Sequence, residues 1–382
     1  MSDTDALRAW LTLLHTPGLG LSSLRERLAA DGDAVAVLAH LRRSPAGLGE
    51  AAGAWLTCPD EARLTRDMTW LATPGHRLLC CTDADFPPLL GHIPQPPVAL
   101  FIAGDASLLL HPQVAIVGAR GATAGGLAHA RRFAMALAQA GFVITSGMAD
   151  GVDGAAHAAA LAVDAPTIAV VGTGPDRVYP HKHQALAQAI AARGAVVSEF
   201  PPGTAPRADH FPRRNRLIAG LSLGTLVIEA GLKSGSLITA RLAGEQGREV
   251  FALPGSVDNP LARGCHRLIR EGVRLVEEPA ELIETLVPAA RALGLELAAR
   301  LAKLPVSAAP PCGTPAPDTP SMPPARPEHH RLRQAMGHDP ATLDELASRT
   351  GLAPAALSSM LLMLELEGQV ESLPGNRYHC VA

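Results

Sequence analysis

Four arginines fall within ten residues, in Arg207-Ala-Asp-His-Phe-Pro-Arg213-Arg214-Asn215-Arg216. A guanidinium presents a planar fork of donors that matches phosphate oxygens two at a time. Two further cations sit in turn-like segments: Arg120 in Gly118-Ala-Arg120-Gly121, and Lys182 in Tyr179-Pro-His-Lys-His183. A mononucleotide uses one or two such contacts. Five or six cations suit a polyanion, which means a nucleic-acid strand. Aromatic residues are only 3% of the chain, so base stacking must be sparse, with Phe211 and Tyr179 as the candidates. Phosphate contacts should then dominate, with little sequence preference. The net charge of −3 adds no hint of its own, so the signal is local.

These cations need a scaffold that brings them to one place. Short apolar runs at 114–117, 143–145, 167–171, 195–197, 226–228 and 250–253 each end in a turn rich in glycine or serine. Most are followed by a helical pattern; after Gly126, apolar residues recur at Leu127, Ala130, Ala134, Leu137 and Ala138. Strands alternating with helices imply right-handed crossovers and an α/β fold with a parallel sheet. All strand ends then point to one edge, where ligands bind. The turn from Gln113 to Gly126 leads into a helix N-terminus, which is expected to hold an anion. The arginine run is expected to be a loop leaving the same rim after the fourth of these strands. Residues 77–82 and 98–102 read as two more strands, adding an edge on either side of a proline-rich crossing.

Several enzyme patterns fail. There is no G-x-x-x-x-G-K-[ST], the first turn is not G-x-G-x-x-G, and the second strand ends at Thr145-Ser146 without an acid for a ribose hydroxyl. No cofactor is expected. Gly220-Leu-Ser222-Leu-Gly224 resembles a nucleophile elbow, but a strand follows it instead of a helix. His181 and His183 have no cysteine or acid at ligand spacing and read as exposed, so no metal is expected. Asp150 and Asp153 read as helix caps. Glu199 and Glu229 close strand ends and admit two readings, as catalytic groups or as holders of the arginines. The second suits a site whose guanidiniums must be kept apart. The six cysteines form no C-x-x-C pair and read as idle thiols in a reducing compartment.

The flanks differ in texture. Residues 1–72 read as short helices. They include a Thr16-Pro-Gly-Leu-Gly20 hairpin and a Ser22 cap, in the manner of a helix-hairpin-helix or a sterile-alpha-like (SAM-like) module. Residues 73–290 hold the alternating core. Nine prolines between residues 305 and 327 mark an extended linker, placed at 304–327. In 328–382, three helical patterns and a hairpin at Pro374-Gly-Asn376 suggest a winged helix. Its third helix carries no basic residue, which favours protein contact over base readout. No apolar run approaches a membrane span, so a cytoplasmic protein without a membrane partner is expected.

The ordered motifs Ile116-Val-Gly-Ala-Arg120, Ser146-Gly-Met-Ala-Asp-Gly-Val-Asp153, Gly172-Thr-Gly-Pro-Asp-Arg-Val-Tyr-Pro180, Ser198-Glu-Phe-Pro-Pro-Gly203, Phe211-Pro-Arg-Arg-Asn-Arg216 and Glu229-Ala-Gly-Leu-Lys-Ser-Gly-Ser236 resemble the DNA-processing protein A (DprA/Smf) family over about residues 86–276. That resemblance implies an extended Rossmann-like fold that binds single-stranded DNA, forms a homodimer, and loads the RecA recombinase during natural transformation. It points to Arg120, Lys182, Arg213, Arg214, Arg216 and the Ser234-Gly235-Ser236 turn. With their rim neighbours Gly118, Ser146, Gly147 and Asn215, these make up the expected binding residues; no catalytic residue is assigned. Gly264-Cys265-His266 departs from the family's Gly-x-Asn, so His266 receives no role. The runner-up is an enzyme similar to the nucleotide phosphoribohydrolases. Those carry Gly-Gly-x-Gly-Thr-x-x-Glu after the corresponding strand, and Thr239 stands here in place of the carboxylate.

Overall fold

The computed structural model describes residues 3–45 and 47–301, and beyond them 341–342, 345–346, 350, 357, 370–373 and 377–380. The chain divides into two units, Met1–Leu304 and Pro305–Ala382.

The first unit starts with five helices: α1 (Asp3–Leu14), α2 (Leu21–Asp31), α3 (Ala34–Arg43), α4 (Glu50–Thr57) and α5 (Glu61–Leu71). Their apolar faces, with Leu11, Leu24, Val37, Leu41 and Leu64 fully buried, close over Leu78 and Phe101 of the first two strands and over Val98 just before the second. The helical segment and the sheet edge thus share one core. Ser22 is not a cap: α2 begins one residue earlier, its N-cap is Gly20, and no side chain bonds to the helix end.

Nine strands form one sheet in the order β1-β2-β6-β5-β4-β3-β7-β8-β9. They are β1 (His76–Cys80), β2 (Ala99–Gly104), β3 (Gln113–Gly118), β4 (Val143–Ser146), β5 (Thr167–Val171), β6 (Ala195–Ser198), β7 (Gly224–Ile228), β8 (Glu249–Ala252) and β9 (Arg274–Leu275). From β6 to β9 every pairing is parallel, and β1 and β2 extend the edge antiparallel. The short turn helix α6 (Pro88–Gly91) lies in the proline-rich crossing. The crossover helices are α7 (Ala124–Gln139), α8 (Val152–Ala162), α9 (Gln184–Arg193), α10 (His210–Leu221), α11 (Ser236–Glu245) and α12 (Arg263–Arg270), and α13 (Pro279–Leu301) follows the last strand. α7, α8 and α13 cover one sheet face around Phe133 and Phe251. α10, α11 and α12 cover the other around Leu217, Ala240 and Leu268. Strands buried on both faces explain the unbroken apolar runs of the sequence.

The strand order reverses at β3, which pairs with β4 on one side and β7 on the other. A crevice opens at such a point, at the carboxyl ends of the strands. Gly118 ends β3 there because nothing larger fits: a Cβ would stand 1.9 Å from the Ile228 carbonyl oxygen.

One expectation about this rim is corrected. The arginine run is a helix, not a loop: α10 starts at His210 and carries Arg213, Arg214 and Arg216. Pro212 falls in its first turn, where the missing N–H has no partner to lose. Leu217, Ile218 and Leu221 then bind the helix to the core.

A buried histidine links this sheet to pH. His157 on α8 has no exposure, and the Thr167 hydroxyl beside it donates to the Ile144 carbonyl. The Thr167 oxygen therefore accepts from His157 Nδ1–H, at 2.8 Å. The other ring nitrogen is buried without a partner. Burial pushes His157 down to about 3, and His183 and Arg214 add to the effect. The folded state thus refuses a proton that the unfolded chain takes near its ordinary value. Stability from this group is complete above the unfolded value and is lost as pH falls toward the folded one. Between pH 7 and pH 5 the loss should be about 2 kcal/mol. Urea unfolding at both pH values checks this, and His157→Gln should remove that part of the slope.

The second unit contains a three-stranded antiparallel sheet of β10 (Ala341–Thr342), β11 (Val370–Leu373) and β12 (Arg377–Cys380), in the order β10-β12-β11. β11 and β12 pair from Val370↔Cys380 to Leu373↔Arg377, the hairpin expected around Pro374. The proline-rich linker and most of the three expected helices lie outside the described residues.

Candidate nucleic-acid interface

A cleft of about 730 Å³ lies at the switch point. Its walls are Gly118 and Arg120 after β3, Ala149 and Asp153 after β4, and Tyr179 from the loop after β5. Arg207, Phe211, Arg214 and Asn215 come from α10 and its approach, and Lys233 to Ser236 from the turn between β7 and α11.

Arg214 forms the floor and is only 5% exposed. Its Nη1 donates to the Val170 carbonyl oxygen. Gly147 makes room for it, since a Cβ there would stand 2.2 Å from Nη1. Burial pushes the guanidinium down to about 10, Asp153 pulls it back up, and Arg120 adds a smaller downward push. It stays protonated at neutral pH. Burial also raises Asp153, against the pull of Arg214 and of the Gly147 and Ala149 N–H groups that bond its Oδ2. Asp153 is therefore a buried counter-charge and not a helix cap; the N-cap of α8 is Gly151, without a side-chain bond.

Above this floor stand cations of another kind. The Arg120 guanidinium carbon lies 6.0 Å from the Phe211 ring centre, and the exposed Tyr179 ring lies 5.6 Å from the Phe211 ring. Among the described residues, neither Arg120 nor Lys233 has an ion-pair partner. Arg207 meets only Asp209 at 3.3 Å, both largely exposed, a contact of little strength. The Ser234 and Ser236 hydroxyls lie 2.7 Å apart at the entrance to α11. The first N–H groups of α11 are taken up by the turn itself, Ser236 N–H reaching Ser234 Oγ at 3.4 Å and Leu237 N–H donating to the Ser234 carbonyl oxygen at 3.2 Å, so the helix end offers an anion its dipole and these two hydroxyls.

Other expected residues are placed differently. Arg213 and Arg216 turn away from the cleft onto one carboxylate, Glu199, which is 4% exposed. Arg213 also lies 5.3 Å from the Phe200 ring centre. Lys182 pairs with Asp150 at 2.9 Å, so Asp150 is an ion-pair partner and not a cap. His183 is half-buried, not exposed: its Nδ1 donates to the Met148 carbonyl oxygen and its Nε2 faces Asp150. Ser146 is buried and donates to the Ile116 carbonyl, joining β4 to β3. The Ser222 hydroxyl is likewise buried, donating to Ile218.

The turn after β3 does not await an outside anion. The Glu229 carboxylate already occupies the α7 N-terminus, accepting from Thr123 N–H at 2.7 Å and from Thr123 Oγ1 at 2.6 Å. Of the two strand-end acids, Glu199 holds arginines and Glu229 does not. Lys233, which lines the cleft, was missed among the rim cations, although a lone cation in a rim turn was visible signal.

Comparison with known proteins agrees with this geometry. Residues 77–287 match the family model for DNA recombination-mediator protein A, and residues 315–376 match the DprA winged helix domain. The chain is similar to Protein Smf of Escherichia coli (strain K12), at 42% identity over 81% of this chain and 78% of that one. It is similar to the X-ray structure of DNA processing protein A from Streptococcus pneumoniae, with TM-score 0.65 and 36% identity, over 72% of this chain and 97% of that one. It also resembles the DNA processing protein A of Helicobacter pylori, whose structure is described in terms of its single-stranded DNA binding mode. There the TM-score is 0.51 and the identity 32%, over 56% of this chain and 96% of that one.

Proposed function

The chain belongs to the DNA recombination-mediator protein A (DprA/Smf) family, and from that premise we propose that it binds single-stranded DNA along the switch-point cleft, with little regard for sequence. The observation that carries this reading is the two-level cationic cleft. A neutralised Arg214–Asp153 floor lies beneath unpaired Arg120 and Lys233, beside the paired rings of Tyr179 and Phe211. Unpaired cations meet phosphates, and the rings accept a splayed base that a duplex would keep stacked. Phosphate also suits the positive dipole end of α11 and the Ser234 and Ser236 hydroxyls there.

The role is one of binding without catalysis. Asp153 is the one carboxylate lining the cleft, and its Oδ2 is held by two backbone N–H groups. Residues 73–290 serve as the DNA-binding body, with 1–72 and 328–382 as modules for protein contact. In a cytoplasmic setting, a homodimer of this kind would shelter incoming single strands and load the RecA recombinase in transformation or recombination. No helix among the described residues is long and apolar enough to cross a membrane.

Fluorescence anisotropy with labelled oligonucleotides tests the core of this. Three unpaired or weakly paired cations, Arg120, Arg207 and Lys233, should give a log-affinity against log-salt slope of about −2 on single strands, not the −3.5 or so that five free cations would give. Single strands should bind more tightly than duplex, and Arg120→Ala with Lys233→Ala should flatten the slope. A flat slope in the unaltered protein, or equal affinity for duplex, would sink the proposal.

A further inference from the structure

The geometry points to Glu229 as a positioning residue for single-strand binding: an internal anion that fills the α7 N-terminus and fixes Arg120 and Lys233 relative to each other. This rests on the DNA-binding reading above, and Glu229 itself touches no ligand in it.

Three segments meet at this one carboxylate. The turn carrying Arg120 reaches it through Thr123, whose N–H and hydroxyl both donate to it. The same Thr123 oxygen caps α7 by accepting from Gly126 N–H at 3.0 Å. The loop that leads into α12 reaches it through Asn259 Nδ2, at 3.1 Å. The third segment is the one that carries Glu229, where β7 ends and the turn holding Lys233 to Ser236 begins. The Glu229 carbonyl oxygen also accepts from Ala119 N–H, at 2.6 Å.

The backbone is bent to make this arrangement. Glu229 has φ of +49°, a left-handed conformation that a residue with a Cβ adopts at a cost. Gly126 is bare for the same reason, since a Cβ there would stand 2.4 Å from the Glu229 Oε2. A strained acid against a glycine, at the positive end of a sixteen-residue helix, is a fitted ion. Its charge satisfies α7 and leaves the start of α11, with its dipole and its Ser234 and Ser236 hydroxyls, as the place for phosphate.

A cavity of about 170 Å³ adjoins the carboxylate, lined in part by Thr123, Gly125, Gly126 and Ser256. It makes chemical rescue feasible. In Glu229→Ala the vacated space borders the same donors, and a free acetate ion fits their chemistry.

The experiment uses the full chain, with Glu229→Ala and Glu229→Gln, at fixed ionic strength in chloride and in acetate. In chloride, Glu229→Ala should bind single strands about tenfold more weakly than the unaltered protein. Acetate should restore most of that loss and should raise the melting temperature of Glu229→Ala more than that of the unaltered protein. Glu229→Gln, which keeps the size and loses the charge, should lie in between in chloride and should not respond to acetate. Full affinity in either variant in chloride would overturn the assignment. So would a loss in Glu229→Ala that acetate leaves untouched, because a merely structural residue gives that result. If Glu229→Ala fails to fold, unaltered affinity in Glu229→Gln overturns it, and a loss of affinity in Glu229→Gln at an unchanged melting temperature supports it. The melting shift does not depend on DNA. An unaltered protein that ignores oligonucleotides would sink the DNA reading while the acetate shift still judged the anion site.

Discussion

Arg214→Ala should weaken single-strand binding about a hundredfold and destabilise the fold by about 3–5 kcal/mol. Both effects have the same cause. Arg214 and Asp153 are each buried at the cleft floor, and each depends on the other's charge. Removing the guanidinium leaves a carboxylate in a poorly solvated place, directly under the path proposed for phosphate. It also removes the donor to the Val170 carbonyl and leaves space beside Gly147. Urea unfolding and anisotropy separate the two losses. In Arg214→Met with Asp153→Asn, both charges are gone and much of the stability should return, while the affinity should not. An Arg214→Ala protein with unchanged affinity would show that the floor takes no part in binding.

The sheet was legible because its strands are buried on both faces. Runs such as 167–171 carry no polar break, and their turns are marked by glycine or serine, so strand positions and the edge that holds the cleft followed from the pattern. α10 was not legible as a helix. Arginines, Pro212 and a single Phe dominate its first half, and the apolar residues that anchor it, Leu217, Ile218 and Leu221, come only afterwards. The state of each cation was hidden for a different reason. A guanidinium looks alike in sequence whether it is free or neutralised, and the neutralising acid arrives through tertiary structure. Glu199 lies on the loop after β6, fourteen residues before Arg213. Asp150 reaches Lys182 from the turn after β4. Counting cations therefore overstated the charge presented to a strand. The same blindness hid Glu229: the turn after β3 looked like an open anion site because its resident anion is 106 residues away from Thr123.

Glu199→Gln should move stability and binding in opposite directions, a pairing that a general weakening of the fold does not produce. Glu199 is the counter-charge of both Arg213 and Arg216. Arg216 is 6% exposed, and two of its nitrogens have no hydrogen-bond partner, so the carboxylate is what makes its burial tolerable. Without the negative charge, the fold should lose about 3–5 kcal/mol. Arg213 is different, since its side chain is 45% exposed and can swing into solvent. Released, it becomes one more free cation on the helix that lines the cleft. At low salt, single strands should then bind more tightly, and the slope of log affinity against log salt should steepen by about 0.7. Adding Arg213→Ala should cancel the steepening and leave the stability loss in place, because that loss belongs to Arg216. A Glu199→Gln protein with the original slope would mean that Arg213 does not reach the strand from this helix.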